Sequence, residues 1–210
     1  MRPKPHASGC TPRARTSPGP GKQTKQVQLI DAPAFAMAKQ YLLRGIDSWY
    51  RDVWKPPSAK EREYVRVRLQ FRNSADTGLG LPLPKGVVRV YERDSSGAPQ
   101  FVGEDNLAHT PTDENVHVEM GNAFDIAVDR RQMDFKRIAS DVIETAWEIR
   151  LRNHKETAVT VHVQEPAGGD WALLESSYPG TKGAAFEVEF DVPVAKNGES
   201  VLTYRVRSRY

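Results

Sequence analysis

From Glu63 onward, apolar and polar side chains alternate, and this period of two limits what the chain can fold into more than any other feature. Val65, Val67, Leu69 and Phe71 alternate with Arg66, Arg68 and Gln70. Trp147, Ile149 and Leu151 alternate with Glu148, Arg150 and Arg152. The pattern recurs at Val159, Val161 and Val163, at Phe186, Val188, Phe190 and Val192, and at Leu202, Tyr204 and Val206. Successive side chains of a strand point to opposite faces, so each run has one buried and one wet face, as in antiparallel sheet. Shorter runs at Val87–Tyr91, Gln100–Val102, Val116–Met120 and Phe124–Val128 fit the same scheme. The mixed charges of Asp129–Glu144 suit a strand, a short helix or both. Asp94-Ser95-Ser96-Gly97 and Lys196-Asn197-Gly198 predict hairpin turns, because Asn and Gly tolerate positive φ. Gly168-Gly169-Asp170 and Pro179-Gly180 mark loops. The total is about ten or eleven short strands, too many for one flat sheet. The expected fold is all-β: an antiparallel two-sheet β-sandwich, immunoglobulin-like or related.

The first 22 residues stand apart. They hold Pro3, Pro5, Pro12, Pro18 and Pro20 and almost nothing apolar, so a disordered basic tail is expected over 1–22. A single β-sandwich domain is expected over 23–210. It begins with extended pieces at Lys25–Asp31 and Phe35–Leu43 and a linker over 51–61 that contains Pro56-Pro57. The formal net charge of +3 invites a nucleic-acid reading. Arg2, Lys4, Arg13, Arg15 and Lys22 account for it, with no acid among them. Of 30 Lys+Arg and 27 Asp+Glu, residues 23–210 keep 25 bases against all 27 acids, a net −2. The basicity belongs to the tail, and no nucleic-acid partner is expected. No run of about 18 apolar residues marks a membrane-spanning helix. The N-terminus lacks the apolar region of a secretory signal, which also argues against a lipoprotein site at Ala7-Ser8-Gly9-Cys10. Cys10 is the single cysteine, so neither an intrachain disulfide nor a thiolate metal cluster is possible.

Motifs with an inherent chemistry are absent. Gly78–Gly86 is glycine-rich and includes Lys85, but two prolines and a strand follow where a phosphate cradle needs a helix N-terminus, so it reads as a crossover loop. His117 and His162 occupy wet-face positions, whereas His109 and His154 lie in loops. His109 with Asp105 and Asp134 is the candidate catalytic set; His109 and His154 could also form a two-histidine metal site, with Asp105 or Asp134 as third ligand, if the loops converged. No metal or other cofactor is expected. Arg130-Arg131 beside Asp134 reads as surface ion pairing. Trp171, His154 and Asp170 are candidate binding residues, and Trp49, Tyr50 and Trp54 are further aromatics that could form a sugar platform or cover the sandwich end.

Asn73–Gly86 resembles a segment of a bacterial family, domain-of-unknown-function family 4139. The likeness continues through Val88–Tyr91, Phe101–Asp105, His109–Pro111, Ala123–Asp125, Arg131–Phe135, Leu151–Lys155 and Gly169–Trp171, with a similar stretch near Gln23–Val27. It covers most of 23–210. The resemblance implies the C-terminal β domain of a longer protein with an N-terminal β domain and a helical middle. Its relatives include mucoidy-inhibitor-A-like proteins, many of them exported to the bacterial envelope. It carries over no catalytic residue. The chain departs from it in lacking the upstream portion and export signal, in its 1–22 tail, and at Tyr178 and Gly183; a fragment or a misplaced start is expected. The leading functional expectation is a non-enzymatic envelope module that acts by protein interaction or scaffolding. The alternatives are a hydrolase using the loop His/Asp residues, with or without a metal, and a glycan-binding sandwich. The partner is then an unknown protein or an envelope glycan.

Overall fold

The computed structural model describes residues 34–45, 54, 61–183 and 186–210. The 1–22 tail, the Lys25–Asp31 piece, Trp49, Tyr50 and most of the 51–61 linker lie outside the described residues. Among the described residues, eleven strands follow in order: β1 (Ala38–Arg44), β2 (Glu61–Arg72), β3 (Gly86–Arg93), β4 (Pro99–Leu107), β5 (Asn115–Arg137), β6 (Val142–Asn153), β7 (Val159–Pro166), β8 (Asp170–Ser176), β9 (Gly180–Lys182), β10 (Glu187–Val194) and β11 (Glu199–Arg209). Among the described residues the chain is all-β, the one helical element being a three-residue 3-10 turn at Ala75–Thr77. Nine strands form one sheet in the order β8-β11-β6-β5-β2-β1-β7-β10-β9, and β3 and β4 form a separate two-stranded ribbon. Among the described residues, no helix is long and apolar enough to cross a membrane.

The described residues divide into two compact units. The larger comprises Lys39–Arg68 and Glu119–Tyr210. Its core joins Val65, Ile126, Val128, Trp147, Ile149 and Leu151 to Val161, Val163, Val188, Phe190, Val192, Leu202 and Tyr204. These positions come from both halves of the sheet order, so the sheet curls until its halves share one core. Phe190 of β10 and Tyr204 of β11 meet with ring centroids 5.4 Å apart. The two ends of the sheet, β8 and β9, are consecutive in sequence, joined by Ser177–Pro179.

Most ladders are antiparallel, as alternation requires, but β1 pairs with β7 in parallel. Parallel neighbours need a long connection, and here it is supplied by the whole of β2–β6. The hairpin turns form where expected: Asp94 N–H donates to Ala98 O, Gly97 has φ 86°, and Asn197 has φ 47°. The ambiguous Asp129–Glu144 segment is two strands joined by a turn at residues 138–141.

Four details correct the sequence reading. Val116–Met120 and Phe124–Val128 belong to one 23-residue strand, β5. Its phase breaks near Gly121, whose φ of 102° re-aims the chain and leaves Phe124 89% exposed. Phe186 is likewise exposed, because it sits in a turn at φ 69° and β10 starts one residue later. Gly180 opens strand β9 instead of a loop, packed so closely on Leu173, Phe190 and Val188 that a Cβ would collide with them. Arg130 is not a surface residue: it is 1% exposed.

Candidate functional site

The smaller unit comprises residues 34–38 with Leu69–Val118 and carries the β3–β4 ribbon. Residues directly opposite in an antiparallel pair share a face. Tyr91 therefore stands beside Phe101, their rings 5.7 Å apart and inclined at 66°, and Arg89 beside Glu104, paired at 3.0 Å. Val87 lies on the same face. Val87, Tyr91 and Phe101 are each more than half exposed, so this face presents an aliphatic and two aromatic side chains around one ion pair. On the opposite face Val88 and Val90 are half-buried.

Below the ribbon, two loops form an open groove of about 730 Å³, with Leu81, Pro82, Leu83 and Pro84 on one wall and His109, Thr110, Pro111 and Thr112 on the other. Reciprocal backbone hydrogen bonds between Leu83 and Thr110, each 2.9 Å, clamp the walls together. Asn73, fully buried, ties both from below: its Nδ2 donates to Leu81 O and to Pro111 O, each at 2.8 Å. The Gly78–Gly86 segment thus serves as a structural crossover loop, with Gly78 and Gly80 at positive φ.

The candidate catalytic residues are held in structural bonds. His109 Nδ1 accepts the Lys85 N–H at 3.2 Å, which in the neutral ring puts the proton on Nε2. The groove that His109 lines includes neither Asp105 nor Asp134. Asp105 Oδ1 accepts the N–H of Asn106 at 2.7 Å. Asp134 belongs to the larger unit, where Arg205 at 2.9 Å and Lys136 at 3.3 Å neutralise it. Among the described residues, no group of three or more His, Cys, Asp or Glu is arranged to hold a metal ion.

The candidate binding residues are not brought together. Asp170 and Trp171 align with Arg209 and Ser208 of β11, and Arg209 in turn faces Val142, the first residue of β6. His154 follows the last residue of β6, so it lies a strand length away, roughly 35 Å at the strand rise. Trp171 packs against the core, and the Lys182 ammonium sits 5.1 Å from its ring centroid, so the ring is partly covered. Trp54 is exposed.

On the outer surface of β5, β6 and β11, arginines and carboxylates interlock: Arg152 with Asp129, Arg131 with Glu148, Arg205 with Asp134, Arg207 with Glu144 and Arg209 with Asp141. His162 pairs with Asp191 at 2.7 Å on the wet side of β7 and β10. Charges of both signs alternate, so this surface offers no concentrated basic patch for phosphates. The Arg205 hydrogen bond holds the Asp134 carboxyl below its ordinary value, and that of Arg209 does the same for Asp141. Hydrogen bonds from Ser96, Gln100 and the backbone lower Asp94 to about 2. A depressed carboxylate pKa stabilises the fold above the unfolded value near 3.9, and that contribution is lost as pH falls through the folded value. The melting temperature is therefore expected to fall between pH 4 and pH 2, and Asp134→Asn to flatten part of that fall. An unchanged slope in the variant would show that the Arg205 pair contributes nothing.

Sequence reasoning missed a polar cluster inside the larger unit. The Arg130 guanidinium makes a bidentate pair with Glu165, 2.5 and 2.7 Å, and an ion pair with Glu63 at 2.6 Å. Tyr204 Oη donates to Glu165 at 2.5 Å, and Trp147 offers its ring face 6.0 Å from the guanidinium. Burial by itself would lower the Arg130 pKa; the Glu165 and Glu63 carboxylates outweigh it, and the value is raised. A Cβ at Gly45 would lie 2.9 Å from both Glu165 carboxylate oxygens, so glycine there leaves room for the cluster. Its side chains are nearly sealed from solvent and join β2, β5, β7 and β11 through one set of charges.

Comparison with known proteins finds no matching family, no matching curated protein and no matching solved structure.

Proposed function

We propose that this chain is a non-enzymatic β-sandwich module, immunoglobulin-like or related, of an envelope-associated bacterial protein of the domain-of-unknown-function 4139 type, and that it works through protein interaction. The observation that carries the reading is the ribbon face of Val87, Tyr91 and Phe101, an apolar cluster left in solvent while the candidate catalytic side chains are engaged in structural bonds. Exposed apolar clusters rimmed by polar groups mark interaction sites. The family likeness supports it: the Asn73–Gly86 and His109–Pro111 blocks supply the groove walls, and the Val88–Tyr91 and Phe101–Asp105 blocks are ribbon strands. The curled sheet, whose halves share one core, supports the sandwich architecture.

The test is photo-crosslinking in a bacterial envelope extract. A benzophenone amino acid at position 91 is expected to yield a discrete protein adduct that unlabelled wild-type chain competes away and Tyr91→Ser/Phe101→Ser does not. The same probe at position 207, on the ion-paired surface, is expected to yield none. Equal labelling at both positions, or hydrolytic turnover lost in His109→Ala, would overturn the reading.

A further inference from the structure

The ribbon has two outer edges, and they are built differently. The β4 edge opens with Pro99, carries an extra residue, Val102, between the partners of Val90 and Tyr91, and places Glu104 next to Asp105. Proline without an N–H, a bulge and adjacent charges are the devices by which proteins blunt an edge against further pairing. The β3 edge has neither the proline nor the bulge, and its adjacent charges, Glu92 and Arg93, stand at the last two positions of the strand. Gly86–Arg93 has no proline and no bulged residue, and Val87, Val88, Val90 and Tyr91 are strong strand formers. Among the described residues the one ladder of β3 is with β4. Every second N–H and C=O along it therefore points away from that ladder.

We infer that the β3 edge docks a second copy of this chain, the two β3 strands pairing antiparallel about a two-fold axis at Val90 to give a four-stranded β4-β3-β3-β4 sheet. This rests on the reading of the ribbon as an interaction surface and names its partner. Opposite residues share a face, so a two-fold axis between antiparallel neighbours stands perpendicular to the sheet and sets one residue against its own copy. Charge then selects the register. An axis at Arg89 or at Glu92 sets a charge against itself, and an axis at Tyr91 sets Arg89 against Arg93 of the other copy, twice. With the axis at Val90, Arg89 faces Tyr91, Val88 faces Glu92 and Val87 faces Arg93, so no like charges meet across seven paired positions. The Arg89 guanidinium lies against an aromatic face, a favourable cation–π arrangement. The apolar face becomes continuous, with Tyr91 and Phe101 of both copies on one side. Axes nearer the start of β3 shorten the overlap to five residues or fewer. A seven-residue edge is a small interface, so the association is weak and concentration-dependent.

Sedimentation velocity of the wild-type chain over two decades of concentration is expected to show a monomer–dimer equilibrium. The register is read by cysteine pairs in a Cys10→Ser background. Arg89→Cys mixed with Tyr91→Cys is expected to form a disulfide-linked dimer on oxidation, and each variant alone to form none. Both positions are exposed, and matching thermal melts would show that the variants fold. A wild-type chain that stays monomeric overturns the pairing, and so does cross-linking of either variant with itself, which would mean a different register. Photo-crosslinking from position 91 judges the broader interaction reading separately, because its adduct can be another protein.

Discussion

Glu165→Ala is expected to cost about 3–5 kcal/mol of unfolding free energy, the range for removing one partner of a buried ion pair. Glu165 is fully buried, takes both forks of the Arg130 guanidinium and accepts the Tyr204 hydroxyl. Its removal strips a 1%-exposed guanidinium of its bidentate partner and leaves Glu63 as its one neighbouring carboxylate among the described residues. Such a loss is a large part of the roughly 5–15 kcal/mol that stabilises a domain. Tyr204→Phe removes one donor to a charged acceptor and is expected to cost about 1.5–3 kcal/mol. Replacing the charges together, by Glu63→Leu, Arg130→Met and Glu165→Leu, is expected to cost less than the single removal, about 1–3 kcal/mol for the buried Tyr204 hydroxyl left without its acceptor, since desolvation of buried ions roughly cancels their attraction. Urea denaturation of the four proteins checks this. A loss under 1 kcal/mol in Glu165→Ala, or a triple variant as unstable as the single one, would show that the cluster is not held by its charges.

That cluster also shows where the sequence was legible and where it was not. Arg130 and Gln132 share parity with Ile126 and Val128, Glu165 with Val161 and Val163, Glu63 with Val65, and Tyr204 with Leu202. Period two therefore aimed all of them inward. Residue type argued the other way, because an isolated buried charge is prohibitive. The deciding fact, a partner 35 residues further along the chain, depends on long-range pairing that no local pattern encodes. Local features were readable for the complementary reason. The Asn197-Gly198 and Asp94–Gly97 turns depend on the φ preferences of a few adjacent residues, and both appear as expected. The parallel β1–β7 pair was hidden because strand neighbours far apart in sequence leave no mark on either strand. The ribbon was half-visible: Val87, Val88, Val90 and Tyr91 put apolar side chains on both faces of β3, which cannot both be wet by design. Which face the protein covers is a tertiary fact, and that face is the one bearing Val88 and Val90.

Asn73→Asp is expected to loosen the groove more than Asn73→Ala, although it changes the side chain less. The Asn73 amide donates two hydrogen bonds, to Leu81 O and Pro111 O, and its own backbone N–H and C=O bond to Glu114 and Asp113. Alanine leaves two carbonyls without that donor, at about 1–3 kcal/mol for each one that stays unsatisfied. Aspartate keeps the shape but sets a carboxylate oxygen against two carbonyl oxygens in a fully buried position, so repulsion and the desolvation of a charge are added. Both variants are expected to raise amide hydrogen exchange over residues 74–85 and 108–114, the two loops that Asn73 ties. Exchange along β6, β7, β10 and β11 is expected to stay as in wild type, because those strands lie in the other compact unit and bury their own core. If the two loops exchange at the wild-type rate in Asn73→Asp, the clamp is the Leu83–Thr110 backbone bridge and Asn73 only fills space. If β6 and β11 loosen together with the loops, the two units unfold as one. Between those outcomes lies the result expected here, a groove whose walls open while the larger core stays closed. In that case the photo-crosslink from position 91, on the ribbon built between those loops, should weaken in Asn73→Asp without any change to Tyr91 or Phe101 themselves.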